Sequence, residues 1–432
     1  MAEEREPEGF VDFSLEMEDF EYAQVKKFDR IFDIGEGGSF SQKPLIHEGV
    51  VYVGCMDHNV YALDAKSGEL IWKFKARDGI VSSSPVISEG TLYIGSYDRN
   101  LYALDAGTGR LVWKFPTFGK ILASVCVWEG KAYFGSNDHN VYCVDSRSGG
   151  LIWKYKTQGE VACMPVVYRG RLLIGSYDQL LYCLDAASGA LIWKCETQGD
   201  VFSQPPMPVH DGVAYFPSFD NFLRAVDVDT GRVLWKFRTG SYGGMGSGPF
   251  LWKNVLYQSN REGVIYAITL DGRELWNFRI NNAVAHPMVH DDRIYFGSED
   301  YNLYCIGLDG KKLWAFPTQG ELWWQPTISG GRIYFTSWDC LLYCVDVSTH
   351  KLVWKFRGQG SPSNMPPPFD SFELVVKKRV DESDAEEMEG VKRYDMAAED
   401  KETSGFYKSR ITYQSSTRYR EKGKYQTVED DF

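Results

Sequence analysis

Apolar and polar residues alternate along most of this chain in short runs, and the runs recur. Around residue 90, Pro85-Val86-Ile87 gives way to the polar turn Ser88-Glu89-Gly90, then to the β-branched and aromatic run Thr91-Leu92-Tyr93-Ile94-Gly95. A polar loop, Ser96-Tyr97-Asp98-Arg99-Asn100, leads into Leu101-Tyr102-Ala103-Leu104-Asp105. A glycine turn, Ala106-Gly107-Thr108-Gly109, then opens a fourth run, Leu111-Val112-Trp113-Lys114-Phe115. Period-two alternation bounded by Gly, Asp and Ser predicts strands joined by tight turns. Proline is tolerated at the start of the first strand because no ladder donor is needed there. No helical periodicity competes within residues 40–357.

The same sentence is repeated along the chain. Its closing tryptophans are Trp72, Trp113, Trp153, Trp193, Trp235, Trp276, Trp314 and Trp354, at spacings of 41, 40, 40, 42, 41, 38 and 40 residues. A fixed period of about forty residues with four strands per period is the unit of a propeller blade. The pattern predicts an all-β chain: an eight-bladed β-propeller of four-stranded antiparallel blades, with non-propeller extensions at both ends. The expected divisions are residues 1–27, an acidic-aromatic extension; 28–357, the propeller; and 358–432, a Pro-rich linker and a Tyr/basic tail. Residues 28–34 are expected to pair with the last blade. The sixth and seventh copies replace the longer turn by Leu270-Asp271-Gly272 and Leu308-Asp309-Gly310.

The motif Ala62-x-Asp64-Ala65-x-x-Gly68-x-x-x-Trp72 resembles the tryptophan-docking repeat of the quinoprotein (PQQ-type) β-propellers. That family includes quinoprotein alcohol dehydrogenases and non-enzymatic eight-bladed relatives, such as the lipoprotein of the bacterial outer-membrane assembly machine. The resemblance spans residues 40–357 and implies that each tryptophan packs between blades, beside the Asp and Gly turn of its neighbour. It also implies where a cofactor would sit, on the axis with a calcium ion. A hard cation needs several converging oxygens. The positions just before each first strand include Gln42, Lys43, Ser84, Gln204, His286 and Gln325, with no carboxylate among them. The expectation is a polar, water-filled axial funnel, no cofactor and no enzyme activity.

Charge and cysteine usage refine this picture. The formal charge is −12, but residues 28–369 carry 34 acidic and 32 basic side chains, so the repeat body is nearly neutral. A near-neutral body argues against nucleic-acid binding through bulk charge. Four of nine cysteines, Cys143, Cys183, Cys305 and Cys344, occupy one repeat position where other copies have Ala62, Ala103, Ala225 and Ala267. Small buried filler accounts for them, and the absence of Cys-x-x-Cys suggests a reducing, cytoplasmic setting. No run of 18 apolar residues is present, so no membrane association is expected.

Two series of aspartates invite a metal reading. Asp57, Asp98, Asp138, Asp178, Asp220, Asp300 and Asp339 each fall in the loop between second and third strands; the other series begins the glycine turn. Asp in such turns accepts backbone N–H bonds, which is the structural reading preferred here. The histidines lack ligand spacing, although His286 with Trp323, Trp324 and Gln325 is expected at one sector of the funnel mouth. The glycine-rich stretch 240–248 lacks a Gly-Lys-Ser/Thr ending and a following helix, so it reads as a loop between blades.

The extensions carry the remaining signal. In the first, Phe13, Leu15 and Met17 alternate with polar residues, as in an extended docking strand. In the second, Tyr407, Tyr413, Tyr419 and Tyr425 recur every six residues among Arg410, Arg418 and four further basic side chains. An extended ribbon would place all four tyrosines on one face, suited to adding to a partner's sheet edge. Single-stranded nucleic acid is the weaker alternative for this tail, because the chain as a whole is acidic. Together these features suggest an interaction scaffold in a multi-subunit assembly; an oxidoreductase or small-ligand binder using the axial funnel is the alternative.

Overall fold

The computed structural model describes residues 38–241, 247–280 and 282–358. These fold into eight four-stranded antiparallel sheets, spanning residues 45–75, 86–116, 126–156, 166–196, 209–238, 250–279, 288–317 and 327–357. Each sheet takes its strands in chain order, so every described blade is one continuous stretch of sequence. The short first strands, such as Val86–Ser88, approach those of neighbouring blades and lie nearest the axis. The fourth strands, such as Leu111–Pro116, form the rim. Residues 28–34, expected to complete the last blade, lie outside the described residues, as do both extensions.

Register explains the rim. In the second blade Ala103 faces Trp113, but Leu104 faces Leu111, so Val112 is the extra residue of a β-bulge. The same slip occurs before the tryptophan in each of the other seven blades. A bulge strengthens twist and spoils an edge for further pairing. It also turns one aliphatic side chain outward per blade: Ile71, Val112, Ile152, Ile192, Leu234, Leu275, Leu313 and Val353 are all exposed.

The tryptophan then points inward, onto the next blade. Trp72 Nε1 donates to Ala106 O at 2.9 Å, and Tyr52 OH donates to the same carbonyl at 3.1 Å. Trp113 and Tyr93 share Ser146 O, Trp153 and Tyr133 share Ala186 O, and Trp354 and Tyr334 share Ala65 O. This two-donor lock closes the ring between the eighth and first blades. Arg332, donating to Ala65 O and Lys66 O, and Thr327, donating to Pro44 O, reinforce that seam. Trp193, Trp235 and Trp276 also dock, onto Val228 O, Leu270 O and Leu308 O, although these three rings are only partly buried.

The junction of the seventh and eighth blades is different. Elsewhere the turn residue under the tryptophan is a glycine; here it is His350, with φ +58°. At Gly109 an added Cβ would stand 2.5 Å from the Trp72 ring. A side chain at the equivalent place therefore displaces the tryptophan. Trp314 instead stacks on the His350 imidazole at 4.5 Å, and Trp314 Nε1 and Tyr295 OH have no hydrogen-bond partner among the described residues.

Candidate functional site

The hairpin aspartates hydrogen-bond within their own blade and to the backbone of the blade before. Asp98 Oδ1 accepts from Asn100 N at 3.0 Å, and Oδ2 accepts from Tyr102 OH at 2.6 Å. The same Oδ2 accepts the backbone N–H of Arg77, from the preceding blade, at 3.0 Å. Asp138, Asp178 and Asp339 repeat this set with Tyr142, Tyr182 and Tyr343, and with Phe118, Gln158 and Gln319 across the junction. In the fifth blade Arg224 replaces the tyrosine and forms a buried ion pair with Asp220. No group of three or more metal-ligating side chains gathers among the described residues.

The positions expected to line an open polar funnel are instead largely enclosed. Gln42, Gln204, His286 and Gln325 are buried, while Lys43 and Ser84 are partly so. Their polar atoms run from blade to blade. Lys43 N donates to Ser84 Oγ, and Ser84 N donates to Ser124 Oγ. Gln204 Nε2 reaches Leu122 O at 3.1 Å and Ala162 O at 3.3 Å, tying three blades together. Gln325 Nε2 donates to Pro287 O, and its Oε1 accepts from Lys43 Nζ, both at 2.7 Å. Burial lowers the Lys43 ammonium to about 8. An amide has both donor and acceptor to spend, so glutamine pins a ring where a carboxylate would repel its neighbours' carbonyls.

The positions that do face the axial mouth escaped the sequence reading. They stand three residues before each third strand: Met56, Tyr97, Asn137, Tyr177, Phe219, Arg261, Glu299 and Trp338. Their common feature in the sequence is variability beside a repeated aspartate. Met56, Tyr97, Tyr177, Phe219 and Trp338 join Val81, Leu122, Ala162 and Phe202 in one apolar cluster drawn from six blades. The expected water-filled funnel is thus filled by apolar side chains over that arc, because large residues at this position reach the axis.

Over the sixth to eighth blades the lining changes. Arg261, His286, Glu299, Trp323 and Trp324 border a recess of about 50 Å³. His286 and Trp324 come from adjacent blades and stack with ring centroids 5.6 Å apart. Burial, with the charges of Lys43 and Arg261, lowers His286 to about 3, so its imidazole is neutral near pH 7. Burial and the neighbouring Glu321 push Glu299 up to about 7, against the pull of Arg261. Burial raises Glu321 too, although its Oε2 accepts from Trp323 Nε1 at 2.7 Å.

The Glu299 shift has a definite sign. Its folded pKa of about 7 exceeds the ordinary 4.5, so the fold favours the protonated form and loses this contribution as pH rises between them. Glu299→Gln is therefore expected to gain stability relative to the parent chain as pH increases from about 4.5 to 7, measured by denaturant unfolding across that range. A difference that stays flat or shrinks over the window contradicts the assignment.

Comparison with known proteins agrees with this architecture. The family model described as outer membrane protein assembly factor BamB matches residues 23–156, 137–248, 220–322 and 261–371. BamB from Moraxella catarrhalis superposes with a TM-score of 0.61 at 21% identity, covering 69% of this chain and 94% of its own. A computationally designed protein, Ika8, gives a TM-score of 0.62 at 14% identity, with 71% and 95% covered. The quinohemoprotein alcohol dehydrogenase ADHIIG from Pseudomonas putida HK5 gives 0.60 at 15% identity, with 72% and 71% covered. At such identities these structures share the fold. A search of curated proteins found no match. The repeated family matches along the blades place the chain in the family of the outer membrane protein assembly factor BamB.

Proposed function

We propose that this chain is a non-catalytic interaction scaffold whose propeller and terminal extensions bind partner proteins in a larger assembly. The observation that carries the reading is the use made of the axial polar groups. Gln204 and Gln325, placed where a cofactor's ligands would converge, spend their amides on joining blades. The recess beside them, about 50 Å³, is small against the roughly 300–1,000 Å³ typical of ligand pockets. Apolar surface faces outward instead. Phe118, in the loop between the second and third blades, is 87% exposed, and the bulged aliphatics ring the rim. The matching family takes its name from an outer membrane protein assembly factor, which supports protein partners. A reducing, cytoplasmic setting belongs to the same reading, supported by free cysteines held in the blade cores. Cell fractionation tests that part.

The partner-binding part is tested by tagging the chain in its native host. A partner recovered in stoichiometric amount is expected, and deletion of residues 404–432, with its four tyrosines, is expected to release it without changing Tm. A full-length chain that elutes alone overturns the scaffold reading. So does purification with stoichiometric PQQ and a chelator-sensitive alcohol oxidation. A small-ligand role has one observation in its favour, the recess of the sixth to eighth blades, developed next.

A further inference from the structure

That recess gathers polar atoms which the ring leaves unused. His286 and Trp324 are each 6% exposed, yet His286 Nδ1 and Trp324 Nε1 have no hydrogen-bond partner among the described residues. Nearly all buried polar atoms are paired, so two orphans on stacked rings lining one recess call for an explanation. Leaving each unpaired is destabilising, and a ligand that bonds both removes that penalty. Arg261 enters from the hairpin of the sixth blade. Its guanidinium lies 5.8 Å from the Phe219 ring centroid and 6.0 Å from that of Trp323. Between these aromatic faces the cation is desolvated, which lowers its pKa, and Glu299 acts on it through space. The rest of the wall combines Ser247, Ser259 and Asn260 with the apolar Ala283, Val284, Ala285 and Leu322.

We propose that this recess binds a short-chain organic carboxylate. The guanidinium fork of Arg261 matches a planar carboxylate. The indole N–H of Trp324 donates to one oxygen, and the neutral imidazole of His286, protonated on Nδ1, donates to the other. A short aliphatic tail lies against Val284 and Leu322. The small volume admits a few heavy atoms and excludes a large anion. Charge favours the same class. Lys43 acts on His286 from the first blade, and burial pushes the Glu299 carboxyl up to about 7, which weakens its negative charge near neutrality. Glu321 is occupied by Trp323.

The proposal stands apart from the scaffold reading, since a scaffold with or without a bound acid gives the same pull-down. The test is calorimetric titration of the purified full-length chain with butyrate at pH 7. Saturable one-to-one binding is expected. Arg261→Gln and Trp324→Phe should each weaken it about tenfold or more, the scale of one lost bond, while Phe118→Ser leaves it unchanged. n-Butylamine, of similar size and opposite charge, should not compete. Absence of saturable butyrate binding overturns the proposal, as does equal binding by Trp324→Phe or competition by the amine. If Arg261→Gln fails to fold, Trp324→Phe, which keeps an aromatic ring and removes the donor, decides alone.

Discussion

Arg224→Ala is expected to destabilise the propeller by about 3–5 kcal/mol, the usual effect of stranding one partner of a buried ion pair. Arg224 and Asp220 are 2% and 6% exposed. Arg224 Nη1 donates to Asp220 Oδ1 at 2.9 Å, Nη2 donates to Oδ2, and Gln198 N reaches Oδ2 from the preceding blade at 3.0 Å. Burial alone would raise the Asp220 carboxyl, but these bonds hold it below the ordinary range. Alanine leaves the carboxylate buried with its cation gone. The repeat supplies the control. Tyr102, Tyr142, Tyr182, Tyr304 and Tyr343 occupy the same register position and donate to their aspartates. Arg224→Tyr should therefore fall within about 1 kcal/mol of the parent, in the range of tolerated swaps. Denaturant unfolding of both variants checks this. Equal losses would mean that the cation itself, rather than a donor to Asp220, is required.

Gly109→Ala should cost about 2–5 kcal/mol, and Gly90→Ala only about 1–2 kcal/mol. Both glycines have positive φ, +71° and +72°, so both substitutions pay the left-handed strain of roughly 1–2 kcal/mol. A Cβ at Gly90 meets nothing within 4 Å, whereas at Gly109 it stands 2.5 Å from the Trp72 ring. Displacing that ring adds overpacking, typically about 1–3 kcal/mol, and pulls Trp72 Nε1 from Ala106 O. The comparison isolates the docking contact from backbone strain. Similar losses at the two sites would show that the tryptophan lock contributes little.

The blades were legible because each is a local object. Hydrophobic alternation, glycine turns and the tryptophan period all act within about forty residues, and repetition averages out imperfect copies. The hairpin aspartates were legible for the same reason. Their partners Asn100 and Tyr102 lie two and four residues on. The rim bulge was half-written in the sequence, since Leu111-Val112-Trp113 breaks strict alternation where the register slips. The axis was not legible. Which side chains meet there depends on eight chain segments converging, and residue type alone misleads. Glutamines that look like ligands of a polar funnel are buried pins. Met56, Tyr97 and Phe202, which look like loop residues, fill the centre. Likewise, nothing local marks His286 and Trp324 as stacked partners 38 positions apart.

The substitution of His350 for the turn glycine has a consequence for how the ring comes apart. A closed ring of like units has no ends, but one with a single weak joint behaves as a linear array. The first and last blades along the sequence meet at a joint that carries its full set of bonds. The weak joint is one blade earlier, where neither Trp314 nor Tyr295 bonds the turn of the eighth blade among the described residues. Mechanically, then, the array begins with the eighth blade and ends with the seventh, out of step with the order in which the chain is synthesised. Sub-global opening follows the joint of lowest free energy. Amides flanking Trp314 and His350 would exchange with solvent before those at the chain's own seam, and the eighth blade would leave the seventh while still clasped to the first.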